Sequence, residues 1–341
     1  MARIFRKRSI LASAAAAVVI VTAVALTTAG ADPGPDLAPV PADTLIASSL
    51  AAVADPSLSM SGTVGSHVDL GIPQLPGTLS ISSGALAVLL TDQTFKVWRS
   101  PDGERVAQIL PSAERDVVAT PTDVWVWDSQ QFTAWHATVP STTPAPPTPS
   151  VADLDTLVSK GLATVAPYAD LTTSSPIEVA GRSAYVVRLA PASSSNTLVD
   201  RIDVAIDAET RVPLRFQIFA KGVPDAVVDV AYTAVSFGPV DPSVFAFAPP
   251  SGATVHQIAA PADAETGTPA DSPMPGIRVF GTGFDLVAAV PVPSVPKQLD
   301  PLFPYRGPLG SADVVRRGEQ TWVVAGLVPP DALAKAEQKL P

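Results

Sequence analysis

The chain has 341 residues, no cysteine, 37 prolines and 16% charged side chains; 32 acids against 22 bases give a formal charge of −10. The missing cysteine excludes disulfides, thiolate metal sites, cysteine nucleophiles and lipidation at a cysteine. Proline at this density suits strands and turns rather than a tight helical bundle, and an acidic surface without a basic cluster argues against nucleic acid and against charge-driven capture of anionic headgroups.

Arg3, Arg6, Lys7 and Arg8 precede an uncharged run from Ile10 to Leu26, and Ala29-Gly30-Ala31 is a small-x-small site before Asp32-Pro33. Residues 1–31 read as a signal peptide cleaved after Ala31, or as an uncleaved N-terminal membrane anchor. Either places the remainder outside the cytoplasm, in the cell envelope or extracellular space. Without that segment 18 bases face 32 acids, a charge of −14. Residues 32–42 form a Pro-rich tether. Asp43 then caps a helix over 43–54, with Leu45, Ile46, Leu50 and Val53 on one face and Pro56 as its stop.

From Ser57 the period changes to two, and Met60, Val64 and Val68 share one side of a strand. Further strands are expected at Gly84–Thr91, Thr94–Arg99, Glu104–Leu110 and Ala113–Ala119, with Asp102-Gly103 as a hairpin turn. Val124–Trp127 and Phe132–Ala137 make the next hairpin. Residues 140–149 (PSTTPAPPTP) are a polyproline-like connector, and a second helix follows over 150–166. The later strands are Ile177–Ala180, Ser183–Ala190, Thr197–Asp207, Pro213–Ala220 and Ala226–Phe237. Ile202, Val204 and Ile206 alternate cleanly with Asp203 and Asp207. Residues 259–275 are an acidic, Pro-rich linker at a domain boundary. Residues 276–341 read as a small α+β domain, with a strand over Ile277–Val290, a hairpin around Arg317-Gly318-Glu319 and a closing helix over Pro330–Leu340.

Catalytic chemistry is not visible. His67, His136 and His256 lack metal-helix spacing, and no nucleophile has a base beside it. Ser294-Val295-Pro296-Lys297 has S-x-x-K spacing but lies in a Pro-rich stretch that cannot be the helix this motif needs. No enzyme activity, metal or cofactor is expected.

Composition alone favours a sheet with a sealed core. Two features favour a curved, under-filled sheet instead. Both helices are flanked by Pro-rich segments and can serve as hinged flaps, and the strand faces are rich in Ala, Val and Leu, which leave room. An acyl chain of about 15 methylenes would gain on the order of 12 kcal/mol gross in such a space, at about 0.8 kcal/mol per methylene. Trp125 and Trp127 share one side of their strand. Core and pocket wall are the two readings that keep those indoles dry. An exposed sugar platform would leave a whole aromatic side in water.

The stretch TDVWVWDSQQFTAWH (122–136) resembles the signature hairpin of LolA-type lipoprotein carriers. Residues 241–255 (DPSVFAFAPPSGATV) are similar to that family's closing F-x-F, proline, glycine and valine segment. Residues 206–215 (IDAETRVPLR) look like its D-x-x-T hairpin. The resemblance covers about residues 42–256 and implies a LolA-like fold, α+β: a large antiparallel curved sheet, or half-barrel, with a helical lid. It implies a lipid or lipoprotein acyl chain as ligand in the 43–258 domain. RseB-like regulators share the fold and add a small C-terminal domain, as 276–341 does here. They suggest an alternative function: sensing envelope lipids or lipoproteins and contacting an anti-sigma factor or other envelope protein. The expected cavity wall is Leu86, Val88, Leu90, Val97, Trp125, Trp127, Val204 and Phe216. The family's pocket arginine that holds the lid has no assigned counterpart, Arg99 being a guess.

Overall fold

The computed structural model describes residues 34–72, 92–139, 161, 164–258, 276–295 and 297–341. The expected segment 1–31, strand 84–91, connector 140–149, linker 259–275 and most of helix 150–166 lie outside them. Helix α1 spans Ala42–Ala54. The strands of the large domain are β1 (Met60–Val68), β2 (Gln93–Ser100), β3 (Gly103–Leu110), β4 (Ala113–Ala119), β5 (Asp123–Asp128), β6 (Thr133–Thr138), β7 (Ala169–Val179), β8 (Arg182–Pro191), β9 (Val199–Asp207), β10 (Pro213–Ala220), β11 (Ala226–Phe237) and β12 (Thr254–Gln257).

They form one open twelve-stranded sheet in the order β12-β6-β5-β4-β3-β2-β1-β11-β10-β9-β8-β7. Two antiparallel meanders, β2–β6 and β7–β11, are thus joined through β1, which pairs with β2 on one side and β11 on the other. The sheet rolls far enough for β7 to approach β11, although three strands separate them in the order. Its core accordingly gathers Met60, Val64 and Val97 with Val186, Ala205, Leu214 and Tyr232. The sheet is mixed rather than purely antiparallel, because β12 runs parallel to β6.

Alternation separates the two faces of β8–β11. Val187 stands opposite Val204, Val204 opposite Phe216, and Phe216 opposite Val230. On the other face Arg188, Asp203, Gln217 and Asp229 follow in register, and Arg188 makes a two-pronged contact with Asp203 at 2.8 and 2.7 Å. One face is oily and the other hydrogen-bonded, as a sheet wetted on one side requires. Helix α1 lies on the oily face: Leu45, fully buried, packs with Val187 and Ile206. Its buried stripe is Leu45 and Ser49, whereas Leu50, expected on that stripe, stays 45% exposed.

Strand β7 starts at Ala169, well before the expected Ile177. Pro176 obscures the continuity, and a bulge between Ser174 and Ile177 accommodates it. The C-terminal module is a second sheet built from β13 (Arg278–Phe280), β14 (Val287–Val292), β15 (Tyr305–Arg306), β16 (Ser311–Arg317) and β17 (Gln320–Gly326), closed by α2 (Pro330–Glu337). The single strand expected over 277–290 is a hairpin, because Gly281 and Gly283 adopt φ of 80° and 56° and turn the chain. This module seats on the large sheet. Leu309 joins a buried cluster with Val199, Ala220 and Val227, and Ile202, Ile218 and Val228 pack against that cluster. Leu198 N and Thr197 Oγ1 both donate to the Leu327 carbonyl, at 2.9 and 2.5 Å, and the Tyr305 hydroxyl donates to Leu70 O at 2.7 Å.

Candidate functional site

The oily face holds two cavities. One of about 150 Å³ is lined by Val64, Val204, Leu214, Phe216, Val230 and Tyr232, among others. The second, about 40 Å³, lies at the C-terminal end of α1 between Val53, Leu58, Met60, Val97, Arg99, Glu104 and Tyr232. Tyr232 borders both. Register places the larger cavity between two packed regions. Val204 packs into the cluster around Leu45 of α1, while Ile202, Ile218 and Val228, one rung further along the same face, pack against the cluster that includes Leu309 of the C-terminal module.

Arg99 fastens the helix. Its Nη1 donates to the Val53 carbonyl at 2.8 Å and its Nη2 to the Asp55 carbonyl at 3.1 Å. These carbonyls end α1, where the backbone has no partners of its own and carries partial negative charge. Glu104, directly opposite Arg99 on β3, stands 3.3 Å from its Nε. Burial raises the Glu104 carboxyl above its usual range, with Arg99 opposing.

The expected wall residues divide into three groups. Val204 and Phe216 line the larger cavity and Val97 the smaller. Leu86, Val88 and Leu90 lie outside the described residues. Trp125 and Trp127 are on the other face of the sheet. Val97 stands opposite Val106, Val106 opposite Val117, and Val117 opposite Val126, so the residues flanking Val126 point away from Val97's side. Trp125 stacks on His136 with ring centres 4.0 Å apart, and Trp127 meets Phe132 at 5.6 Å. Phe247 lies against both, at 5.4 and 6.1 Å. The two indoles are packed under the F-x-F segment and share no wall with Val97. Two of the three motifs behind the family resemblance thus meet in space. Trp135, opposite Val126, is on the cavity side and stacks near His256 at 6.0 Å.

The signal missed in the sequence was Tyr232. Its alternation with Val228 and Val230 was legible, but its position between two cavities was not.

Among the described residues no group of three or more His, Asp or Glu is placed to hold a metal ion. No described helix is long and apolar enough to cross a membrane.

An open rolled sheet of twelve strands among the described residues, with a helix on one face and a small second sheet module, defines the architecture. No family model matches the chain, and neither does any curated protein. Among solved structures, it is similar to a Pseudomonas aeruginosa MucA/MucB complex, at 16% identity and TM-score 0.46, covering 87% of this chain and 96% of that one. It is also similar to a LolA superfamily protein from Nitrosomonas europaea, at 9% identity and TM-score 0.24, covering 61% and 99%. A putative outer membrane lipoprotein-sorting domain from Vibrio parahaemolyticus matches at 8% and 0.22, covering 59% and 95%.

Proposed function

We propose that this is an exported, non-enzymatic protein of the cell envelope that binds the acyl chain of a lipid or lipoprotein on the oily face beneath α1. The observation that carries the reading is the apolar cavity of about 150 Å³ beside a helix held by arginine-to-carbonyl bonds. A cavity of about this size lined by aliphatic side chains stays dry and takes a small apolar molecule. A full acyl chain is longer, so the guest reaches from Val204 and Phe216 toward Val97 and displaces part of the lid. Leu86, Val88 and Leu90 belong to the proposed wall by their alternation in sequence; Trp125 and Trp127 are replaced in it by Val64, Val230 and Tyr232.

Phe216→Asp places a charge against the larger cavity without touching α1. The purified protein is expected to melt somewhat lower but stay folded by circular dichroism, and to lose co-purifying lipid in native mass spectrometry. Full lipid occupancy in that variant, or no lipid in any preparation of the wild type, contradicts the reading.

A second reading is a regulatory module that contacts an anti-sigma factor or another envelope protein. Val279, Leu286 and Leu327 of the C-terminal module are 51%, 43% and 45% exposed and favour it. Two matched structures are of MucB with MucA, and a third is of MucB alone. Val279→Asp should abolish partner capture while leaving bound lipid unchanged if regulation is the function. Lipid binding with no partner in either protein favours the carrier.

A further inference from the structure

Tyr232 carries a polar atom that the protein itself does not use. The residue is 4% exposed, and its hydroxyl is buried without a hydrogen-bond partner. Its ring lies over Gly62, where an added Cβ would stand 2.7 Å from two ring carbons, so the absent side chain makes the seat for the ring. Phenylalanine would fill that seat equally well and leave no orphan, since a buried unpaired hydroxyl is a net cost to folding. Tyr232 is also the residue at the boundary of both cavities. A buried, unsatisfied donor on a residue that borders both cavities marks the place where a guest supplies what is missing.

Resting on the acyl-chain reading above, we infer that the Tyr232 hydroxyl is the hydrogen-bond donor for the acyl carbonyl of the guest. It fixes the carbonyl end at the Arg99 side of the face and the hydrocarbon along Phe216 and Val204. The chemistry favours a neutral carbonyl, as in an ester or amide, over a carboxylate. Burial disfavours the phenolate and pushes the phenol's pKa up, which keeps it a neutral donor. Glu104 borders the same cavity and repels an anion. The lining cations are already engaged: Arg99 by Glu104 and the Val53 and Asp55 carbonyls, Arg105 by Glu114 and Asp116, and Arg215, at the larger cavity, by Asp229. Ester and amide share the acceptor; the first belongs to glycerolipids and the second to N-acylated termini.

The test compares full-length wild type with Tyr232→Phe. The probes are methyl myristate, N-methyl myristamide and an alkane of matched length, each displacing an environment-sensitive dye. Wild type should prefer the carbonyl probes over the alkane by roughly three- to tenfold, the worth of one ordinary hydrogen bond. Tyr232→Phe should lose that preference, bind the alkane unchanged, and melt at or above wild type because the orphan is gone. The better of ester and amide identifies the source of the carbonyl. A preference that persists in Tyr232→Phe overturns the inference. So does a wild type that binds alkane and carbonyl probes equally, or a Tyr232→Phe that melts well below wild type, which would mean that the hydroxyl serves an internal partner such as trapped water. Those outcomes leave the container reading standing. A wild type that binds no probe removes both.

Discussion

Asp207→Ala is expected to destabilise the protein by about 3 kcal/mol, the low end of the loss from breaking a buried charge pair, measured by urea unfolding at neutral pH. Asp207 is 1% exposed and ends β9. Its carboxylate accepts two bonds from Arg182, two backbone bonds from Glu209 and Thr210, and one from the Thr210 hydroxyl. Burial by itself would raise its pKa, but the bonds from Arg182 and Thr210 outweigh burial and hold the group below the usual carboxylate range. The pH dependence follows in sign. A carboxyl lowered in the folded state contributes stability above its unfolded value near 3.8, and that contribution is lost as pH falls through the lower folded value. Asp207→Ala should therefore differ most from wild type at neutral pH and converge with it in strong acid. A difference that stays constant down to low pH would contradict this role.

Arg99→Met is expected to speed release of a bound fatty-acyl probe by roughly 30-fold in stopped-flow exchange. Charge-assisted bonds to carbonyls are worth more than neutral ones. Arg99 is 21% exposed, so the pair is discounted to about 2 kcal/mol, with tenfold for each 1.4 kcal/mol. Arg99→Lys keeps the charge but not the fork that reaches two carbonyls at once, and should fall between. Exit rates identical in all three proteins would mean that the bonds seen at Val53 and Asp55 do not control the lid.

The fold was legible where alternation was long. Ile202, Val204 and Ile206 against Asp203 and Asp207 defined one strand and its wet and dry sides, and the hairpins that follow Thr94 were set by their turns. Strand β12 was missed because all four of its residues are exposed and carry no pattern. The site was half legible. That Trp125 and Trp127 face one way followed from parity within a strand. Which way they face depends on register through β2, β3 and β4, and slipping one residue anywhere in that chain would turn them over. Their burial under Phe247, a residue more than a hundred positions later, has no local trace. Arg99 was open to suspicion only because the resemblance asked for an arginine; no periodicity distinguishes it from Arg105 or Arg115.

The seat of the small module has one more effect. Leu309 belongs to the cluster against which Ile202, Ile218 and Val228 pack, immediately beyond the rung that lines the larger cavity. On the acyl-chain reading, hydrocarbon that outgrows the space beside this rung would have to displace the seat of the small module, so the length of a guest would decide whether that module stays attached.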